Sequence, residues 1–217
     1  MIFFDFDGTL ADSNRVWERV DVEFLGRRGL EPTAEYSHTV AHCIFPQAAA
    51  YTREYYGLSM SDRAIMDEWT ELAREAYARQ VPLKPGARAF LEQCARQGER
   101  MALLTACLPD LCAAALARHG IGGFFEDCVF VQELGMDKRQ PETFRLAARR
   151  LGVEPEGCTL FEDSPGACAA AREAGLTVVG VLDPFYAPYE GELRAVCHRV
   201  IGSFAQLLEG NQPLTPW

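Results

Sequence analysis

The chain has 217 residues, enough for one large domain or one domain carrying an insertion. Its composition, 48% hydrophobic and 24% charged, excludes a disordered or low-complexity protein. Thirty-one acidic residues against 21 basic ones give a net charge of −10, a field that repels nucleic-acid backbones and anionic lipid, so any anion the protein binds must find a local positive site.

In chain order, the apolar run 2–4 (Ile2, Phe3, Phe4) predicts a short strand. From Ser13 to about Gln80 the pattern is helical. Ser13 is expected to cap a helix with Trp17, Val20 and Phe24 on one face, ending near Gly29; Ser61 opens another with Ile65, Trp69, Leu72 and Ala76 in register. His38 and His42 lie four apart, but no matching carboxylate pattern accompanies them, so they read as a surface or packing pair.

After a connector over 81–86, apolar runs at 100–104, 127–131, 158–161 and 177–181 alternate with helices at 109–119, 141–151 and 165–174. Each of these helices opens on Pro and stops at Gly120, Gly152 or Gly175. That alternation predicts a parallel sheet covered by helices. The run 2–4 is too short to stand alone and joins the later strands. The expected organisation is therefore an α/β core, residues 1–12 and 83–217, with a helical domain, 13–82, inserted into it.

Eight scattered cysteines form no C-x-x-C pair and read as small buried hydrophobes in a reducing cytoplasm. No apolar run approaches the ~20 residues that span a bilayer, and the first residues carry no basic segment, so neither export nor membrane insertion is expected.

The chemistry collects where strands end. Asp5 and Asp7, at i and i+2 of an extended segment, face one centre, and Gly8 permits a sharp turn directly after them. Two such carboxylates repel and need a divalent cation or a lysine to stay ionised. Thr105 ends the second run, Glu162 and Asp163 follow the fourth, and Lys138 precedes the helix at Pro141. Carboxyl ends of strands are where open α/β sheets bind ligands. Oxygen ligands from Asp5, Asp7 and Asp163 suit Mg²⁺ with room for a phosphate oxygen, while Thr105 and Lys138 offer a hydroxyl and a cation to the remaining oxygens. A second carboxylate two residues past a nucleophile can protonate a leaving alkoxide and then deprotonate water. These parts describe phosphoryl transfer through an aspartyl phosphate.

The same residues resemble the haloacid dehalogenase superfamily. Asp5-Phe6-Asp7-Gly8-Thr9-Leu10 is similar to its first motif, Leu103-Leu104-Thr105 to its second, Lys138 with Pro141-Glu142-Thr143-Phe144 to its third, and Phe161-Glu162-Asp163-Ser164-Pro165-Gly166 to its fourth. The resemblance implies a Rossmann-like core with helices on both faces of a parallel sheet, and a C1-type helical cap of subfamily IA. It implies that Asp5 is nucleophile and metal ligand, and that Asp7 is general acid/base and binds metal through its backbone carbonyl. Thr105, the following amide of Ala106 and Lys138 would hold phosphate; Asp163, with Glu162 beside it, would bind Mg²⁺. Here Lys138 is followed by Arg139 and Gln140 where the family often has Lys-Pro-x-Pro. The hexose-phosphate mutase branch carries a histidine where alignment from the first motif places Trp17, and dehalogenases lack the second aspartate. The expected activity is thus a Mg²⁺-dependent phosphatase on a small phosphorylated metabolite, with a sugar phosphomutase and a non-catalytic phospholigand-binding protein as alternatives.

Overall fold

The computed structural model describes residues 1–40, 43 and 45–208. His42 lies outside these residues, as does the side chain of His38, so the fate of that pair is not described. The chain divides into two compact units, one of residues Arg15–Gln80 and one of Met1–Asn14 with the chain from Val81 onward.

The first unit is helical: α1 (Val16–Gly26), α2 (Ala34–Val40), α3 (Phe45–Tyr56) and α4 (Asp62–Arg79). As expected, Ser61 caps α4, its hydroxyl accepting the Ala64 N–H at 3.2 Å, and Ile65, Trp69, Leu72 and Ala76 are buried along one stripe. Trp69 lies between Phe24 and Phe45, each 5.6 Å away by ring centroid, and Trp17 meets Phe45 at 5.4 Å. Truncating a buried aromatic of this kind costs about 3–5 kcal/mol, so this cluster is the unit's core. Ser13 does not cap α1, which begins at Val16 after Arg15 without a side-chain cap; its hydroxyl is engaged by Asp7 instead.

The second unit holds β1 (Ile2–Phe4), α5 (Ala87–Arg96), β2 (Met101–Thr105), α6 (Pro109–His119), β3 (Asp127–Phe130), α7 (Val131–Leu134), α8 (Pro141–Arg150), β4 (Thr159–Glu162), α9 (Pro165–Glu173), β5 (Thr177–Val181), α10 (Glu190–Val196), β6 (Arg199–Ile201) and α11 (Ala205–Leu208). The sheet runs β3-β2-β1-β4-β5-β6 with every pairing parallel, so the expected α/β class is the observed one.

The period-2 alternation of β1 sends its two phenylalanines to opposite faces. Phe3 joins a core with Leu104, Phe144, Leu160 and Ala171, under α8 and α9. Phe4 stacks on Phe161 at 5.0 Å and meets Phe90 of α5 and Phe204 ahead of α11. A strand buried on both faces has no polar positions to spare, which is why its carboxylates begin at its end.

Two strands are shifted by one residue from the expected runs, to 101–105 and 159–162, because the ladder pairs Thr105 with Phe130 and Glu162 with Gly180. The shift makes Thr105 and Glu162 the last residues of β2 and β4. The sixth strand, three residues opening on the exposed Arg199, was not expected from the sequence.

Candidate active site

Chain order reverses at β1, which lies between β2 and β4, so three strands deliver their carboxyl ends side by side at the sheet's switch point. Asp5 follows β1 directly, its N–H bonded to the Phe161 carbonyl at 3.0 Å. The chain then folds back, Leu10 and Ala11 donating to the Phe6 carbonyl at 3.1 and 2.9 Å. Gly8 makes this loop possible for two reasons. Its φ is +78°, and a Cβ there would stand 2.0 Å from Asp163 Oδ2 and 2.1 Å from Asn14 Nδ2.

Lys138 joins the strands electrostatically. Its Nζ donates to Asp5 Oδ1 and to Glu162 Oε2, both at 2.6 Å, in a pocket where all three side chains are at most 10% exposed. Glu162 Oε1 accepts the N–H groups of Asp163 and Ser164 at 3.2 and 3.1 Å, so both of its oxygens are engaged. Asp163 accepts Asn14 Nδ2 at 2.6 Å and the Thr9 hydroxyl at 3.4 Å. Asp7 accepts the Ser13 hydroxyl at 2.6 Å. Thr105 Oγ1 accepts the Cys107 N–H at 3.1 Å, which fixes the oxygen and leaves its proton to be donated. The Ala106 carbonyl accepts Gln132 Nε2 at 2.6 Å.

Lys138 reaches its partners although the expected proline after it is absent. Asp137 organises the loop in its place: its side chain accepts the Arg139 N–H at 2.7 Å, and its carbonyl accepts the Thr143 hydroxyl at 2.7 Å and the Gln140 N–H at 3.0 Å.

Charge is concentrated here. Burial, followed by the Glu162 carboxylate, pushes the Asp5 carboxyl up to about 7 against the opposing pull of Lys138. Asp163 is likewise pushed well above the usual range by burial and by Glu162 and Asp5, with the Asn14 hydrogen bond opposing. Burial pulls Lys138 down, yet Asp5 and Glu162 together outweigh it and raise the ammonium above its ordinary value. Lys138 is thus firmly cationic while the carboxylates around it still want positive charge.

Asp5, Asp7, Thr105, Ala106, Lys138, Glu162 and Asp163 line one cavity of about 440 Å³, a size suited to a small ligand. All the site residues expected from the sequence therefore meet in one place. Residues that the sequence did not single out for the site also belong to it: Thr9, Ser13 and Asn14 on the chain leaving β1, Cys107, and Tyr186 after β5. A signal existed for the first three, since hydroxyl and amide side chains crowd directly behind Asp5 and Asp7; none existed for Tyr186.

A haloacid dehalogenase-like hydrolase family model matches residues 1–175. Hexitol phosphatase A of Escherichia coli K12 is 31% identical over 215 residues, covering 97% of this chain and 94% of its own. Fructose-1-phosphate phosphatase YqaB of the same organism is 28% identical over 180 residues, covering 83% and 95%. Among solved structures, CbbY from Rhodobacter sphaeroides in complex with phosphate is similar with a TM-score of 0.78 and 25% identity, covering 95% of each chain.

Proposed function

The chain belongs to the haloacid dehalogenase-like hydrolases, and from that premise we propose that it is a Mg²⁺-dependent phosphoric monoester hydrolase, turning over a small phosphorylated metabolite through an aspartyl phosphate. The observation that carries this reading is Lys138 bridging Asp5 and Glu162 beside Asp163, at the ends of adjacent strands. The substrates for which the two E. coli relatives are named support a phosphorylated sugar or sugar alcohol. The net charge of −10 supports a small-molecule partner over nucleic acid. Eight free cysteines support a reducing compartment such as the cytoplasm, and among the described residues no helix is long and apolar enough to cross a membrane.

The donor set fits a hard divalent cation. Asp5, Glu162 and Asp163 offer carboxylate oxygens within 4.8 Å of one another, all buried. Because Glu162 is occupied by Lys138 and two amides, we assign the cation to Asp5 and Asp163, with the Asp7 carbonyl as the family resemblance implies. Mg²⁺ there would neutralise charge on the phosphoryl oxygens.

The residues of the chain divide the remaining work. Lys138 and Thr105, with the amide of Ala106, hold the phosphoryl oxygens. An oxygen of Asp5 attacks phosphorus, the bond to the leaving oxygen breaks, and Asp7 gives that oxygen its proton. Asp7 then takes a proton from the water that attacks the aspartyl phosphate, releasing inorganic phosphate and regenerating Asp5. Ser13 keeps Asp7 oriented through both halves. The helical unit Arg15–Gln80, somewhat shorter than the 13–82 expected from the sequence, takes the cap role, and Met1–Asn14 with the chain from Val81 onward the catalytic core.

Phosphate release from a panel of sugar, sugar-alcohol and nucleotide phosphates, with Mg²⁺ and with chelator, tests this. Metal-dependent release by the wild type and none by Asp5→Asn is the expected result. Release that survives chelation, or that persists in Asp5→Asn, overturns the mechanism; an isomerised sugar phosphate without free phosphate makes the enzyme a mutase.

A further inference from the structure

None of the four motifs explains Tyr186, yet it lines the same cavity as Asp5, Lys138 and Asp163. It sits in a short 3-10 helix, Pro184–Tyr189, that follows β5. We propose that Tyr186, together with Ser164, reads a hydroxyl group on the leaving portion of the substrate, and so selects phosphate monoesters of neutral polyhydroxy compounds; this rests on the phosphatase reading above.

Three observations carry it. The first is that the turn is held from outside itself. Its Phe185 and Tyr189 are 41% and 49% exposed, so apolar burial does not fix it. Asp183 does: its side chain accepts the Phe185 N–H at 2.8 Å, its carbonyl accepts the Tyr186 N–H at 3.1 Å, and its second oxygen pairs with Lys84 in a contact where the two side chains are 2% and 10% exposed. A buried ion pair gains little net stability, and its best-attested use is to fix one arrangement. Here that arrangement carries a phenol to the catalytic cavity.

The second is a hydroxyl diverted from its usual task. Ser164 occupies the N-cap of α9, where a serine hydroxyl ordinarily accepts a bond from the first turn of the helix, but its side chain makes no capping bond. Its hydroxyl is left for the cavity that Tyr186 also lines. Both groups line the cavity, and each can donate and accept.

The third is the charge they face. The cavity holds the carboxyls of Asp5, Asp7, Asp137, Glu162 and Asp163 against Lys138 and Arg139, a surplus of negative charge that disfavours a second anionic group on the substrate. Neutral donors are what remain to recognise the leaving portion. A phenol keeps its proton at neutral pH and is able to donate it.

The test compares Tyr186→Phe and Ser164→Ala with wild type on glucitol 6-phosphate and on p-nitrophenyl phosphate, whose leaving group has no hydroxyl. Each variant is expected to lose about tenfold in kcat/KM on glucitol 6-phosphate, mainly through KM, and less than twofold on p-nitrophenyl phosphate. Equal losses on both substrates, or no loss on either, overturn the inference. Calorimetry on Asp5→Asn protein with Mg²⁺ separates it from the phosphatase reading: adding Tyr186→Phe should weaken glucitol 6-phosphate about tenfold and leave inorganic phosphate unchanged. No phosphate release from any ester by the wild type would end the phosphatase reading, whereas the same Kd with and without Tyr186→Phe, or no binding of glucitol 6-phosphate at all, would end the role of Tyr186.

Discussion

A methyl group decides the site at position 8. The φ of +78° is strained for any L side chain, and the new carbon would overlap Asp163 and Asn14, which are bonded to each other at 2.6 Å. Relief requires moving Asp163, and an ångström of misplacement at a reacting centre costs on the order of 10²-fold in rate. Gly8→Ala is expected to lower kcat by about that factor and stability by about 1–3 kcal/mol, read by phosphate release and urea unfolding; an unchanged kcat would show that Asp163 has no part in turnover. Lys138→Met removes the charge shared by Asp5 and Glu162 while nearly conserving volume. A loss of about 10²–10³ in kcat is expected, typical of deleting one preorganised electrostatic group. Lys138→Arg should not restore it, because a planar fork cannot replace a point charge held at 2.6 Å by two carboxylates.

Among the elements, the helical unit contains its own half-buried acid. Asp21 on α1 accepts the Tyr36 hydroxyl of α2 at 3.0 Å, and that hydroxyl lies 3.0 Å from Thr52 Oγ1 of α3, tying three helices together. Burial pushes the Asp21 carboxyl up to about 6, the Tyr36 bond opposing. Between the unfolded value near 4 and about 6 the folded chain binds more protons at this site than the unfolded one, so stability falls as pH rises across that window. Asp21→Asn keeps an acceptor for Tyr36 without the charge. Its melting temperature should exceed that of wild type above about pH 6, and the gap should close below about pH 4; equal temperatures at neutral pH would mean that the carboxylate is solvated. The elements differ in how plainly the sequence announces them. Helices α6, α8 and α9 carry proline at their first position and glycine soon after their last, and they lie within a residue of where the pattern puts them. Ser13 offered an equally good cap for α1, but a carboxylate six residues earlier competes for the hydroxyl and wins. The start of β6 is exposed and its three residues carry no alternation, so only its pairing with β5 makes it a strand.

At the scale of the molecule, the site was legible because each motif residue except Lys138, which precedes α8, ends or follows a strand, and parallel order at a switch point brings those ends together. What was not legible is contact between residues distant in sequence that share no motif. Lys84 and Asp183 are 99 positions apart, and nothing in either neighbourhood names the other. The same convergence has a thermodynamic consequence for the whole fold. Asp5, at about 7, holds its proton in the folded chain far above the unfolded value near 4. Stability from this group is therefore lost as pH rises from about 4 to about 7, because folding then confines an anion among anions. A divalent cation takes the place of that proton, and a ligand bound only by the folded state stabilises it in proportion to its apparent affinity. Proton and cation compete for the same oxygens, so the rise in melting temperature on adding Mg²⁺ should be small at about pH 6, grow to several degrees at about pH 8, and vanish with chelator. Asp163→Asn should flatten that growth by removing a second ligand oxygen. A Mg²⁺ effect of the same size at both pH values, or one untouched by Asp163→Asn, would place the ion elsewhere on this acidic chain.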